Sequence, residues 1–193
     1  NTTKQKGFSM PELLVVMMII AIVGVIAIPQ IIAARRAFRF SGMQRQIAAS
    51  LTEARQEAMT QRRAISFHYK SATQEVIIYG GSYGALNSSK NKIEQLSGSG
   101  VAANEIIYGR PSGVSSVALA DGTNLTSLSG GTTEVTFQPD GTVLDSSGNP
   151  VNKALFFYHG KNALSTAFAV SVLGAGGRVK VWRYSKGVNK YVE

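Results

Sequence analysis

The chain has 193 residues, of which 44% are apolar and 16% are charged, and it contains no cysteine. This composition can fill a hydrophobic core, and it excludes an intrinsically disordered chain, a collagen-like chain, a disulfide scaffold and a thiolate metal site. Twenty basic against 11 acidic side chains give a formal net charge of +9, which predicts attraction to an anionic partner such as nucleic acid, lipid headgroups or an acidic protein.

The first predicted element is a long apolar helix near the start of the sequence. Residues 13–28 are apolar without interruption, and residues 13–34 contain one polar side chain, Gln30. As a helix this segment reaches roughly 33 Å, which is enough to cross a hydrocarbon core of about 30 Å. We therefore expect it to be inserted in a membrane, with the soluble part of the chain on its C-terminal side.

Glu12, at the start of the apolar segment, separates three interpretations of it. A secretory signal peptide is disfavoured because a carboxylate there is costly and no convincing A-x-A site follows, although cleavage near Ala33 or Ala37 stays open. A plain uncleaved anchor leaves Glu12 unexplained. Residues 9–12 also fit a capping box, in which Glu12 bonds to the Ser9 backbone amide. Acidic residues in membrane segments are usually functional, so we favour a functional role for Glu12.

Residues 6–16, Lys-Gly-Phe-Ser-Met-Pro-Glu-Leu-Leu-Val-Val, resemble the class III signal of type IV pilins and type II secretion pseudopilins. The resemblance implies a leader peptide over residues 1–7, which prepilin peptidase removes by cutting between Gly7 and Phe8. It also implies that Phe8, as the new N-terminus, is N-methylated. Prepilin peptidase is therefore an expected partner.

The same resemblance implies an assembly role for Glu12. Glu12 becomes the fifth residue of the mature chain, where the family carries a glutamate, and it would pair with the Phe8 amine of a neighbouring subunit. Pro29 becomes the twenty-second residue, where many pilins carry a proline. Met10 and Pro11 depart from the commoner Leu-Ile pair of the family.

The helix is expected to continue past the membrane segment. Apolar side chains recur there at spacings of three and four residues, at Phe40, Met43, Ile47, Leu51, Ala54 and Ala58. The sequence thus predicts one helix of some 50 residues. Its part over residues 8–34 spans the membrane or forms the filament core, and its part over residues 35–63 is amphipathic.

From residue 64 onward the apolar pattern has a period of two, which predicts a β-rich globular domain over residues 64–193. Residues 139–141, Pro-Asp-Gly, predict a turn, and residues 80–100, rich in Gly, Ser and Asn, predict an irregular connection. The predicted fold class is α+β, with the long N-terminal helix packed on an antiparallel sheet. The predicted strands cover residues 65–69, 75–79, 134–137, 155–158, 168–173 and 178–184.

Two short segments of the globular half narrow the resemblance. Residues 135–143 and residues 177–181 are similar to GspH-type pseudopilins and to FimT- and FimU-type minor pilins, and the absence of cysteine favours this group over major pilins. The resemblance implies a subunit of a type IV pilus or a type II secretion pseudopilus, at the initiating or tip complex, with other pilins as partners. It implies a bacterial inner-membrane protein with a periplasmic head, which later enters the filament.

One pattern opposes this orientation, and no pattern predicts catalysis. Arg35, Arg36 and Arg39 follow the apolar segment, so the positive-inside rule does not favour a periplasmic head; we give the cleavage signal more weight. His68 and His159 are the only histidines, and neither lies in a metal-spaced or triad-like grouping. We expect a non-enzyme without metal or cofactor.

The last predicted strand concentrates positive charge. Alternation places Arg178, Lys180, Trp182 and Tyr184 on one face, and Lys186 follows. In FimT-type pilins a Gly-Arg-x-Arg motif at this place is tied to DNA uptake, and residues 177–180, Gly-Arg-Val-Lys, resemble it.

The resemblance implies an alternative function as a DNA receptor, in which Arg178, Lys180 and Lys186 contact DNA phosphates and Trp182 stacks on bases. The interpretation that we favour is simpler. A solvated last strand carries charges that protect the sheet edge from aggregation.

Overall fold

A computed structural model describes residues 9–81, 90–96, 106–114, 134–160, 163–188 and 190–193. The processing site predicted at Gly7 and Phe8 lies outside these residues. The chain divides into two compact units, Asn1–Arg39 and Phe40–Glu193.

The long N-terminal helix is present as α1, Met10–Gln61, with 52 residues. Within the first unit, Met10–Ile28 has a mean hydropathy of 2.7 and none of its residues is buried, so by length and composition it could cross a membrane. Within the second unit the predicted apolar stripe is confirmed, because Met43, Ile47, Leu51, Ala54 and Ala58 are all buried. The helix ends where Arg62 adopts a left-handed conformation with φ of 50°, a common way to terminate a helix.

In the part of the chain that the structure describes, nine strands and one short helix follow α1. In chain order they are β1 Ile65–Lys70, β2 Glu75–Gly80, β3 Lys90–Gln95, β4 Ile106–Tyr108, β5 Glu134–Phe137, β6 Lys153–His159, α2 Ala163–Thr166, β7 Phe168–Leu173, β8 Arg178–Ser185 and β9 Lys190–Val192. They form a four-stranded sheet with the order β3-β2-β1-β5 and a five-stranded sheet with the order β4-β6-β7-β8-β9. Neighbouring strands are antiparallel throughout.

The main core forms where the second half of α1 meets both sheets. Its buried members include helix residues Ile47 and Leu51, Phe67 and Phe137 of the four-stranded sheet, and Phe157 of the five-stranded sheet. On folding, the apolar side chains on one face of each sheet pack against the apolar stripe of the helix. Both surfaces are thereby removed from water, which stabilises the fold. The predicted α+β class is confirmed, although the strands form two sheets.

All six predicted strands are present, but residues 80–100 are not entirely irregular as predicted. Lys90–Gln95 forms β3, an edge strand paired with β2, and residues 82–89 and 97–100 lie outside the described residues. Polar groups attach this strand to α1: Lys92 Nζ lies 2.9 Å from Glu53 Oε2, and Ser50 Oγ donates a 3.0 Å hydrogen bond to Glu94 Oε2. An edge strand held by polar contacts shows little apolar alternation, so its sequence does not have the usual strand pattern.

Candidate assembly segment and basic C-terminal face

Glu12 lies in the first turn of α1 with its side chain exposed. The helix starts immediately after Ser9, whose carbonyl oxygen accepts a 3.1 Å hydrogen bond from the Leu13 amide. Over residues 9–81, where the chain is described, no hydrogen bond joins the Glu12 carboxylate to the Ser9 amide, so the capping box is not formed there. The carboxylate is therefore available for another partner.

Large apolar side chains surround the helix for five turns after Glu12 and are exposed in this unit. Val25, for instance, is 75% exposed and Leu14 is 64% exposed. Soluble proteins rarely expose a continuous apolar surface of this extent, and lipid or other apolar helices would cover it.

The C-terminal face is built on β8, whose side chains alternate between two environments. Val179 and Val181 pack against the main core beneath the sheet. Trp182 is buried on the opposite face in a second apolar cluster, and Tyr184 packs against this cluster. The alternation predicted for this strand is therefore observed.

Trp182 is a correction to the predicted DNA-contact face, because it is only 2% exposed. Its indole ring packs with Ala169 and Phe156 in the second apolar cluster, and its Nε1 donates a 2.7 Å hydrogen bond to Ser171 Oγ. An aromatic ring can stack on a nucleic-acid base only with one face open. The assigned stacking role for Trp182 is therefore wrong for this conformation, and its role is in packing.

Lys180 is half-buried and already has two interactions. Its Nζ lies 2.8 Å from Glu193 Oε2 and 5.3 Å from the centroid of the Trp182 ring. The hydrogen bond from Lys180, together with the charges of Lys180 and Arg178, lowers the pKa of the Glu193 carboxyl below its ordinary value. Much of the charge of Lys180 is thereby compensated within the chain.

The remaining basic groups of this region face solvent. Arg178 and Arg183 on β8, Lys186 after it, and Lys190 on β9 are all exposed. None of these four forms an ion pair within 4.0 Å among the described residues. Between Asp145 and Glu193 the sequence has no acidic residue, so the exposed charges along β8 and the turn after it are positive.

Gly177, the first residue of the motif that resembles a DNA-uptake signal, has a packing role that sequence reasoning missed. Its φ of +58° is left-handed, and an added Cβ would overlap the carbonyl oxygen of Gly141 and lie 2.7 Å from Arg55 Nε. Gly141 is itself left-handed, with φ of +81°, and is buried. The two segments similar to GspH-type proteins are therefore in direct contact, beside α1.

The turn that contains Gly141 has the chemistry predicted for it. Asp140 Oδ1 accepts hydrogen bonds from the amide and the hydroxyl of Thr142, at 3.0 and 2.7 Å. These hydrogen bonds favour the ionised carboxylate and lower the pKa of Asp140 below its ordinary value. Asp140 is a turn residue and orders the connection after β5.

A second feature absent from the sequence analysis is the buried carboxyl of Glu134. Its Oε2 lies 3.9 Å from Nδ1 of His68 on the neighbouring strand. Burial raises the pKa of Glu134, and Lys153 opposes this shift; burial, followed by the charge of Lys70, lowers the pKa of His68. Among the described residues, no group of three or more His, Asp and Glu side chains could hold a metal ion.

Two family models match the chain in its two halves. The prokaryotic N-terminal methylation motif matches residues 2–28, and the model described as type II transport protein GspH matches residues 44–176. No curated protein matches the chain.

The comparison with solved structures found two crystal forms of one protein. The crystal structure of the type IV minor pilin FimU of Pseudomonas aeruginosa (strain PAO1) in space group P21 aligns with a TM-score of 0.51 and 16% identity, over 82% of this chain and 96% of that chain. The same protein in space group P65 aligns with a TM-score of 0.44 and 16% identity, over 73% of this chain and 90% of that chain. At this identity the first likeness shows a common fold.

Proposed function

Since the chain belongs to the GspH family of type II transport proteins, we propose that it acts as a minor subunit at the initiating or tip end of a type IV pilus or a type II secretion pseudopilus. The observation that carries this proposal is the exposed apolar stretch Met10–Ile28, which follows the start of an N-terminal methylation motif. A monomer with such a helix needs either lipid or a bundle of similar helices around it. Insertion in the inner membrane surrounds the helix with lipid, and later transfer into a filament surrounds it with similar helices.

The proposed mechanism assigns a role to each residue at the start of the helix. Cleavage between Gly7 and Phe8 leaves a charged amine on Phe8, and methylation of that amine retains the charge. Glu12 of one subunit then pairs with the Phe8 amine of its neighbour. Inside an apolar bundle a lone charge is costly, so this pairing favours one axial register between subunits.

The experiment that tests this function is intact-mass analysis of the protein recovered from sheared filaments. We expect a chain that begins at Phe8 and carries one added methyl group. Recovery of a chain that still begins before Phe8 would contradict the processing step. Absence of the protein from the filament fraction, with normal processing in the membrane fraction, would contradict the assembly role.

DNA contact is a second candidate function, and the exposed cations of the C-terminal face favour it. Arg178 is exposed and carries no ion pair among the described residues, and Arg183, Lys186 and Lys190 lie on the same hairpin. Phosphate contacts of this kind bind DNA without regard to its sequence. In this hypothesis the exposed cations bind the phosphates of the DNA strand. Lys180 contributes less to the affinity, and Trp182 does not stack on a base.

An electrophoretic shift assay of the full chain in nonionic detergent tests this second candidate. Binding of unrelated duplexes with similar affinity at low salt supports it. Complete absence of binding at low salt would eliminate it. The expected protection of a sheet edge would not replace it for Arg178 and Arg183, because β8 is paired on both sides, with β7 and β9, and is not an edge strand.

A further inference from the structure

The hairpin formed by β8 and β9 exposes apolar side chains beside cations. Val188, in the turn between the strands, is 60% exposed, and Val192 on β9 is 42% exposed. Lys186 lies in the same turn and Lys190 begins β9, and both side chains are exposed. Arg183 is also exposed and pairs with Val192 across the two strands. We call these five residues the hairpin tip.

The three cations of the hairpin tip are not neutralised within the part of the chain that the structure describes. None of them forms an ion pair there within 4.0 Å. Glu193 is the acidic residue nearest to them in the sequence, and its carboxylate already pairs with Lys180 Nζ at 2.8 Å. The hairpin tip therefore combines a positive potential with exposed apolar surface.

The hairpin tip lies at the end of the head where α1 enters it. Near the end of β8, Arg183 pairs with Phe168 of β7. The Phe168 ring packs on Phe40 of α1, with ring centroids 5.0 Å apart. Phe40 is the first residue of the second unit, and the apolar stretch Met10–Ile28 precedes it in the chain. The hairpin tip thus belongs to the end of the head that is joined to the apolar stretch.

Exposed apolar side chains next to cations are suited to the surface of an anionic bilayer. The apolar groups enter the boundary between headgroups and acyl chains, and the cations bind lipid phosphates. A basic residue near such a surface strengthens binding by about fivefold. A chain anchored in the same bilayer also holds its head at a high effective concentration near the lipid, so weak contacts are sufficient.

We propose that the hairpin tip docks the head on the anionic phospholipid surface of the membrane in which the chain is anchored. Arg183, Lys186 and Lys190 bind headgroup phosphates, and Val188 enters the interface. This docking rests on the membrane insertion given under the proposed function, and it requires neither entry into a filament nor DNA binding. It concerns the chain before assembly, and transfer into a filament has to release it.

The test measures how well a bilayer shields position 188 from water. The chain contains no cysteine, so Val188→Cys supplies a single thiol, and its rate of reaction with an uncharged maleimide reports its exposure. The full chain is placed in nanodiscs of phosphatidylcholine alone or of phosphatidylcholine mixed with phosphatidylglycerol. Each rate is divided by the rate of the same variant in nonionic detergent, which corrects for differences in the reactivity of the thiol.

Ser147→Cys is the matched control, because Ser147 is exposed in a turn at the other end of the five-stranded sheet. This turn is closed by a hydrogen bond from the Asp145 amide to Asn149 O. The strand segment beside it is held by a hydrogen bond from the Val143 amide to Gly174 O, just after the end of β7.

In the mixed nanodiscs we expect Val188→Cys to react about fivefold more slowly than in phosphatidylcholine alone, and Ser147→Cys to change by less than about twofold. Adding Lys186→Gln should remove most of the protection of Val188→Cys. Adding Arg178→Gln, which removes an exposed charge from the opposite end of β8, should leave the protection within about twofold. High salt should abolish the protection, because it screens the attraction between the cations and the lipid phosphates.

Equal rates for Val188→Cys in the two kinds of nanodisc would overturn the lipid contact, and so would equal effects of Lys186→Gln and Arg178→Gln. Elution of the chain together with the nanodiscs checks membrane insertion separately. Failure to elute with them would contradict the insertion on which both this docking and the proposed function rest. Protection by an added DNA duplex in phosphatidylcholine nanodiscs, with none from phosphatidylglycerol, would overturn lipid docking in favour of the DNA contact.

Discussion

A side chain at position 177 would collide with the carbonyl oxygen of Gly141, so the turn before β8 and the turn after β5 touch through their backbones. Arg55 of α1 completes this contact from the helix side. The glycine of the Gly-Arg-Val-Lys segment is thus explained by packing, whereas the following Arg178 points to solvent. Packing therefore explains the glycine of this short motif, and it does not explain the arginine that follows.

The first prediction concerns Gly177. Gly177→Ala should destabilise the head by roughly 2 to 4 kcal/mol, because the methyl group meets backbone atoms and the left-handed conformation is strained for alanine. Urea unfolding in nonionic detergent, followed by fluorescence of the single tryptophan, measures this. Gly176→Ala is the matched control, since no atom lies within 4 Å of its added Cβ, and it should stay within about 0.5 kcal/mol of wild type. Equal stability of the two variants would contradict the proposed contact.

The second prediction concerns assembly through Glu12. Both Glu12→Ala and Glu12→Gln should reduce incorporation into filaments by roughly tenfold or more, because neither can neutralise a neighbour's buried amine. The measurement is the amount of each variant in sheared filaments relative to the membrane fraction, with leader cleavage as the control for correct insertion. The glutamine variant is decisive because it retains the hydrogen-bonding capacity of a capping box. Normal incorporation of Glu12→Gln would refute the ion-pair mechanism.

The third prediction applies to DNA binding and uses its salt dependence. Arg178→Gln should flatten the plot of log affinity against log salt by about one unit on a duplex. Lys180→Gln should flatten it less, since the Lys180 ammonium already pairs with Glu193. Arg45→Gln, which removes an exposed arginine from α1, is the charge-matched control. A slope that changes equally in the three variants would indicate a net-charge effect and would exclude a specific role for Arg178.

The fourth prediction concerns the buried tryptophan. Trp182→Ala should lower the free energy of unfolding of the head by roughly 3 to 5 kcal/mol, because it leaves a large cavity in the second apolar cluster. Ser171→Ala should cost about 1 to 3 kcal/mol by leaving the indole N–H without its partner. Circular dichroism during urea unfolding measures both. If Trp182→Ala kept full stability while single-strand binding fell, base stacking by Trp182 would be correct after all.

The fifth prediction is a pH dependence caused by Glu134. Burial raises the pKa of this carboxyl, so the folded chain keeps its proton to higher pH than the unfolded chain, where the ordinary value is 4.5. Stability from this group is complete below the unfolded pKa and is lost as the pH rises through the folded pKa. Glu134→Gln should therefore gain stability relative to wild type as the pH is raised from about 4 to about 7.

Urea unfolding curves for both proteins across this range measure the difference. His68 acts in the opposite direction: its pKa is lowered by burial, so its contribution is lost as the pH falls below 6.5 and through the folded pKa. His68 Nδ1 lies 3.9 Å from Glu134 Oε2, so the difference between the two proteins reports on the titration of this pair of groups. Parallel pH profiles for wild type and Glu134→Gln would rule out a titration of Glu134 in this range.

Local patterns predicted most of the secondary structure. The stripe from Met43 to Ala58 was visible because one helix face recurs every three to four residues, and strands such as β5 and β7 were visible because they alternate or are apolar throughout. The strands β3, β4 and β9 were missed. All three are edge strands, and they are short or polar. Such a strand lacks a recognisable apolar pattern, so it is found only from its pairing with the neighbouring strand.

The sequence by itself determined the long helix, the α+β class and the resemblance to the pilin group, because each depends on residues that are neighbours in the chain. Only the tertiary structure decided that Trp182 is buried, that Lys180 pairs with Glu193, and that Gly177 packs on Gly141. These properties depend on groups up to tens of residues away, and alternation along one strand specifies a face but not what covers it. Burial is a property of the packed assembly of elements, so it appears only when the elements are placed together.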